Sequence, residues 1–250
     1  MACAWRPILL RCSKQGLHAW LMSKGSCIGM QNNKARYAST HWIRFPGIVT
    51  PDQLALTEYP TECVSWKISP DGPVGPNGYR LPSNIWCGVA LFGDLSAAEE
   101  ALETKEHYLP YLADAVESWH ALLLPIAHRG ECNHIERSNP GPELDLARVI
   151  DFRVHVDRVH DWLKTVEGRL ASQVFTPYTV GDDGVTMSVW RSDTVMIGSM
   201  YRPGTHRTQI DRYKSEKTAD RTSFTRFRVL RTSGRWGGTD PMEITGGNVT

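Results

Sequence analysis

A strand–helix–strand pattern occurs twice in this chain at nearly constant spacing, and that repeat limits the folds open to it more than any other feature. In the first copy, Asn84 to Phe92 (NIWCGVALF) is a strand-sized apolar run. Asp94 stands where an N-cap belongs, and Leu95 to Leu102 (LSAAEEAL) has helical composition. A second helical stretch from Lys105 to Ala115 leads into Trp119 to Ile126 (WHALLLPI), an apolar strand that ends by Gly130. In the second copy, Gly184 to Arg191 (GVTMSVWR) sets Val185, Met187 and Val189 on one face. Ser192 and Asp193 offer the cap, and Thr194 to Tyr201 is helical. Pro203 and Gly204 interrupt that helix, Thr205 can cap a new one through about Lys217, and Phe224 to Leu230 (FTRFRVL) is a strand before Gly234. Asp94 and Asp193 lie 99 residues apart, and Gly130 and Gly234 lie 104 apart, so the two copies read as a duplication.

Each copy has elements upstream of it. Thr40 to Val49 and Glu62 to Ile68 precede the first, with a loop from Ser69 to Ser83 that holds four Pro and three Gly. Arg148 to Val156 (RVIDFRVHV), a helix near Val159 to Ser172, and Val174 to Val180 precede the second. Each half then has about four strands and two helices, the content of a ferredoxin-like unit. Such a unit covers one face of its sheet with helices, so the bare faces of two units must pack together. The expected fold class is α+β: duplicated ferredoxin-like units forming a pseudo-dimeric, eight-stranded α/β barrel. Its halves are residues 39–136 and 144–242, divided at Arg137 to Glu143 (RSNPGPE), with a tail at 243–250.

Residues 1 to 51 contain seven Lys or Arg and no Asp or Glu. Residues 1–38 are therefore expected to be a poorly ordered or organelle-targeting extension, and they are left out of the fold expectation. The whole chain, at 28 basic and 27 acidic residues, carries a formal charge of +1, which gives no electrostatic reason to expect nucleic acid. No apolar run reaches the length of a membrane helix. The six cysteines form no CxxC pair and do not cluster with histidine, which argues against zinc and fits a reducing, cytoplasmic compartment.

Hydrolase signatures are absent: the chain has no GxSxG elbow, no HExxH and no Walker A loop. Gly72, Gly75 and Gly78 stand beside prolines and open no helix, so a dinucleotide fingerprint is a poor reading of that loop, which is either a pocket border or a surface connection. Among nine histidines, His206 has the most unusual setting. It falls in YRPGTHRTQIDRY, just after the Pro-Gly break, in the first turn of the second helix, and helical spacing puts Ile210 and Tyr213 on its face. A helix N-terminus disfavours imidazolium and keeps the ring neutral, as a metal ligand must be. Arg202, Arg207 and Arg212 surround it and could meet carboxylates. On the residues alone, His206 is either a packed structural histidine or such a ligand. His155 and His160, with His120 and His128 at the ends of the WHALLLPI strand, are weaker candidates for a two-His-one-carboxylate iron site.

The segments VTMSVWRSDTVMIGSMYRPGTHRTQIDRY (Val185 to Tyr213) and FTRFRVLRTSGRWGGTDP (Phe224 to Pro241) resemble the spheroidene monooxygenase family, haem proteins of carotenoid oxidation on the dimeric α/β-barrel fold. VSWKISPDG from Val64 and VESWHALLLPIAHRGECN from Val116 to Asn133 match earlier, in the family's order, so the resemblance spans about residues 60 to 242. It implies that His206 is the proximal ligand of a haem b iron and that Arg202 or Arg207 pairs with a propionate. Trp190 and Tyr213 would wall the site. It further implies monooxygenation of an apolar, carotenoid-like or secondary-metabolite substrate with O2 and an electron donor such as ferredoxin, in a possible homodimer. The loop KISPDGPVGPNGYRLP keeps only the outline of the family's glycine-rich stretch. Two other readings use the same fold: haem-dependent dehydration of an aldoxime, and a non-catalytic barrel that binds haem or a hydrophobic ligand.

Overall fold

The computed structural model describes residues 16–21, 35–50, 63–76, 81–109, 111–130, 156–175, 185–201, 203–204, 207–208, 211 and 223–243. Its strands are β1 (Gly16–Leu21), β2 (Tyr37–Val49), β3 (Cys63–Pro70), β4 (Ser83–Phe92), β5 (Glu117–Gly130), β6 (Arg169–Phe175), β7 (Val185–Trp190) and β8 (Ser223–Gly234). The helices are α1 (Leu95–Glu103), α2 (Lys105–Tyr108), α3 (156–164) and α4 (Asp193–Tyr201), with a single 3-10 turn at Leu112–Asp114. All eight strands join one sheet in the order β3-β4-β2-β5-β8-β1-β7-β6, and every pairing is antiparallel.

Within the first half, that order sets the fourth strand beside the first, then the third, then the second, which is the arrangement of a ferredoxin-like unit. The second half repeats it with β8, β1, β7 and β6, and here the structure departs from expectation. The slot between β8 and β7, where the duplication assigns Arg148 to Val156, is filled by Gly16–Leu21 from the basic leader. Leu17 pairs with Val189 on one side and with Phe227 on the other. The leader is thus part of the sheet at these residues, a correction to its exclusion from the fold. Val156 itself begins α3, and 148–155 lies outside the described residues, as does the expected boundary at 137–143.

Two further expectations shift. The helix foreseen near Val159 to Ser172 ends by 164, and β6 starts at Arg169 rather than Val174. Thr165 N and Val166 N donate back to Trp162 O and Leu163 O, which tightens and closes the helix end, and Gly168, at φ 79°, then turns the chain into β6. The helix foreseen from Lys105 to Ala115 is only the short α2 and the 3-10 turn, with Pro110 between them.

One face of the sheet is lined by Ala38, Trp42, Cys87, Val89, Trp119, Ala121, Leu123, Ala171, Met187, Val189, Phe227 and Val229, which form a single buried cluster with Trp236. Residues of the first-half strands β2 and β4 share this cluster with residues of β6 and β7, so the sheet curls until its ends face one another. Thr40 Oγ1, on β2, lies 3.1 Å from Met187 Sδ, on β7. Among the described residues no backbone ladder joins β3 to β6, and the eight strands form a curled, antiparallel sheet. On the outer face, α1 and α2 cover the first half over Ile43, Phe45, Trp86, Ala90 and Leu122, while α3 and α4 cover Trp190 in the second. Burial on both faces explains why β4 and β5 read as nearly continuous apolar runs. No described helix is long and apolar enough to cross a membrane.

Candidate functional site

Of the residues that the sequence singles out, Trp190 and Arg207 are described in full, and His206, Arg202 and Tyr213 lie outside the described residues. Trp190 ends β7 and is wholly buried against Leu163 of α3 and Met196 and Met200 of α4. Its indole Nε1 donates to Ser188 Oγ at 2.7 Å, which satisfies its polar atom in an apolar setting. Met196 N donates to Ser192 O at 3.1 Å, and Val195 N to Ser192 Oγ at 3.3 Å, so Ser192 starts α4 as its cap. Asp193 turns instead to Arg226 of β8, with Nη1 at 3.1 Å from its Oδ2.

Beyond α4, Gly204 has φ 154°, and Thr208 N donates to Gly204 O at 2.9 Å. That bond is one turn of α-helix begun anew after the Pro-Gly break, as the sequence implies. Arg207, Thr208 and Asp211 of this stretch are exposed, and Arg207 Nε lies 2.9 Å from Asp211 Oδ2. The guanidinium therefore points toward solvent and already has a carboxylate partner.

The inner face offers a different chemistry. Trp42 packs on Trp119 at 4.8 Å between ring centroids and on Trp236 at 5.6 Å, edge to face. The segment after β8 folds over this end of the sheet. Arg44 caps the Trp236 ring at 4.8 Å and pairs with Glu117 at 3.0 Å, while Glu117 accepts from Gly238 N at 2.7 Å. Asp240 accepts from Trp119 Nε1 at 2.9 Å and from Thr232 Oγ1 at 2.6 Å. With its amide oriented to match its neighbours, Gln173 donates to Asp71 and accepts from Trp236 Nε1, linking β6 to the loop after β3. Three tryptophans thus pack together at this end of the inner cluster, and polar groups tie the covering segment down over them.

The other histidines are scattered. His160, on α3, donates from Nε2 to Ser172 O at 3.2 Å. His155 is outside the described residues, and of His128 only the backbone is described. Among the described residues, no three His, Cys, Asp or Glu side chains converge as a metal would require. His120 was expected at a strand end, but it lies mid-ladder and buried, opposite His41, a residue that the sequence did not single out. The two rings meet Nδ1 to Nδ1 at 2.9 Å. Burial lowers the pKa of both, His120 to about 3, because the apolar layer disfavours the charged form. A signal for His41 existed: it shares strand parity with Ile43 and Phe45, which are core residues.

No protein-family model matches the chain, and neither does any curated protein. Among solved structures, it is similar to an aldoxime dehydratase at 8% identity, over 90% of this chain and 86% of that one, with a TM-score of 0.48. It is also similar to a candidate monooxygenase of Fusobacterium nucleatum subsp. nucleatum at 11% identity, over 82% and 97%, with a TM-score of 0.35. An anthrone oxidase-like protein matches at 11% identity, over 86% and 96%, with a TM-score of 0.27. None of these likenesses assigns an activity to this chain.

Proposed function

We propose that this chain is a haem-dependent oxidoreductase of the spheroidene monooxygenase type, with His206 as the axial donor to a haem b iron and a small apolar molecule as substrate. The observation that carries the reading is the helical turn from Gly204 to Thr208. It falls where the resemblance puts the ligand helix, and it exposes Arg207, Thr208 and Asp211. In this proposal the helix continues as the sequence predicts, which would put positions 206, 210 and 213 on the face opposite those three, the side that a buried ligand would need. On this reading, the curled sheet is the eight-stranded barrel with its seam between β3 and β6.

In this proposal the group would lie on the outer face of the second half rather than inside the curl. The inner face is packed as a buried apolar cluster that includes Trp42, Trp119 and Trp236. On the outer face, Ser172, Val174, Thr186 and Ser188 are small and buried, and Thr186 Oγ1 has no hydrogen-bond partner. Haem bound there would supply one-electron and O2 chemistry to the substrate. The chain's own part is to hold and to dry the site. Trp190, Met196 and Met200 keep water from the base of α4. Arg226, anchored by Asp193, fixes the start of that helix to β8. Because Arg207 is engaged by Asp211, the propionate partner in this proposal is Arg202, and electrons come from an external donor such as ferredoxin.

Hemin titration of the purified full chain tests this. A saturable one-to-one Soret band, with a histidine-type ferrous CO spectrum that His206→Ala abolishes, is the expected result. No specific band in the natural sequence overturns the proposal. A haem spectrum with turnover of an aldoxime under anaerobic conditions would replace oxygenation by dehydration, and a spectrum without turnover of any apolar substrate would leave a haem-binding barrel.

A further inference from the structure

We propose that Trp42, Trp119 and Trp236 are an electron relay, which draws an oxidising equivalent away from the outer face of the second half and rests it on Trp119 beside Asp240. The three indoles touch in series. Trp42 lies between the other two, 4.8 Å from Trp119 and 5.6 Å from Trp236 between ring centroids. Indole is among the side chains that lose one electron most readily, and electron transfer falls steeply with distance, so rings in contact pass a charge along. A further contact joins the set to the second half. Trp42 Nε1 donates to Thr40 Oγ1 at 3.2 Å, and Thr40 Oγ1 donates to Met187 Sδ at 3.1 Å. Strand alternation sets Met187 on the inner face of β7, while its buried neighbours Thr186 and Ser188 belong to the outer face, in the floor on which the proposed haem would lie. One strand therefore separates that floor from the relay.

The partners of the three N–H groups differ in a way that packing does not demand. Trp42 donates to a hydroxyl, Trp236 to the carboxamide oxygen of Gln173 at 3.0 Å, and Trp119 to the carboxylate of Asp240 at 2.9 Å. Loss of an electron makes an indole acidic at Nε1, and of these three acceptors only the carboxylate is a base that can take the proton. Charge favours the same residue. The Arg44 guanidinium over Trp236, offset in part by Glu117, disfavours a positive hole there, and the Asp240 carboxylate favours one at Trp119. Thr232 Oγ1 and Met242 N hold Asp240 in place. In balance, Trp119 gives one electron by way of Trp42 to a one-electron oxidant formed from O2 at the outer face when no substrate is bound. Its Nε1 proton passes to Asp240 Oδ1, and a neutral indolyl radical remains. A thiol or ascorbate in solution returns the electron through Trp236, which lies beneath the exposed Gly237 and Gly238, and Asp240 returns the proton. This use of the relay rests on the haem reading, which supplies the oxidant.

The test uses the full chain at neutral pH with no hemin added, so that it and the haem reading fail separately. The oxidant is tris(bipyridine)ruthenium(III) generated by a laser flash, and transient absorption distinguishes a neutral indolyl radical from its cation. The natural chain is expected to give a long-lived neutral radical that Trp119→Phe removes and that Trp42→Phe delays or abolishes. In Asp240→Asn, whose side-chain oxygen still accepts the indole hydrogen but takes no proton, the same radical is expected to persist as the cation. A neutral radical formed equally fast in Asp240→Asn would overturn the proposal. So would the absence of a long-lived indolyl radical in the natural chain, a result that needs no variant to fold.

Discussion

At Gly234, the last residue of β8, the backbone turns with φ 86°, and a Cβ there would run into the carbonyl of Ser118. Gly237, at φ 68°, has open space where its Cβ would stand. The two positions separate conformational strain from collision. Gly237→Ala should destabilise by about 1–2 kcal/mol, the usual penalty for a left-handed L-residue. Gly234→Ala should lose clearly more, because β8 must also move off β5, where Arg235 N donates to Ser118 O at 2.6 Å. Urea midpoints of the two variants against the natural chain measure the difference, and equal losses would show that the close approach is relieved at little expense. The sequence marked Gly234 as a turn residue from its place after a strand, but not the carbonyl it touches, which belongs to a segment far away in the chain. His41 was hidden for the same reason. A histidine between Thr40 and Trp42 declares its partner only once β2 and β5 are in register.

Elements were more legible where their ends are fixed locally. The α1 helix was expected at Leu95 to Leu102 and runs Leu95–Glu103, and Asp94 is its cap, accepting from Ala97 N at 2.8 Å. The first turn of α1 has no acidic residue, so this cap is the main favourable term at its N-terminus. Asp94→Ala should destabilise by about 1 kcal/mol, and Asp94→Ser by much less, in urea or thermal unfolding. Equal loss in both would assign the effect to charge rather than to the hydrogen bond. Strands β4, β7 and β8 were also placed to within a few residues, β4 by its apolar run and β7 by its alternation. Strand β6 was not, because Val166 and Leu170 continue a helical spacing across Gly168. After α3 closes at 164, the chain is turned into β6 by the positive φ of that glycine, packed so that a Cβ would meet Val195 of α4. Of the candidate site, the sequence carried the Pro-Gly break and the turn that follows. The placement of Trp190 under two helices depended on α3, which was located only roughly.

At the scale of the whole molecule, the sheet is continuous only because Gly16–Leu21 lies between β7 and β8. Local pattern could not show this. The stretch is short, it sits in a segment whose lack of acidic residues suggested a leader, and its pairing partners lie near the other end of the chain. Deleting residues 1–34 would leave β7 and β8 as facing, unpaired edges in the middle of a curled sheet, the arrangement most prone to pairing with another chain. The first half would keep its own ladder β3-β4-β2-β5, with β8 still held by β5. The truncated chain should therefore unfold in two steps, with the second half lost first, and should form larger species as its concentration rises. Denaturation followed by hydrogen exchange, together with size-exclusion chromatography, reads both effects. A truncated chain as stable and as monodisperse as the full one would mean that the slot accepts another strand. Arg148 to Val156, whose alternation of Phe152, Val154 and Val156 is the stronger strand pattern, is then the segment that fills it.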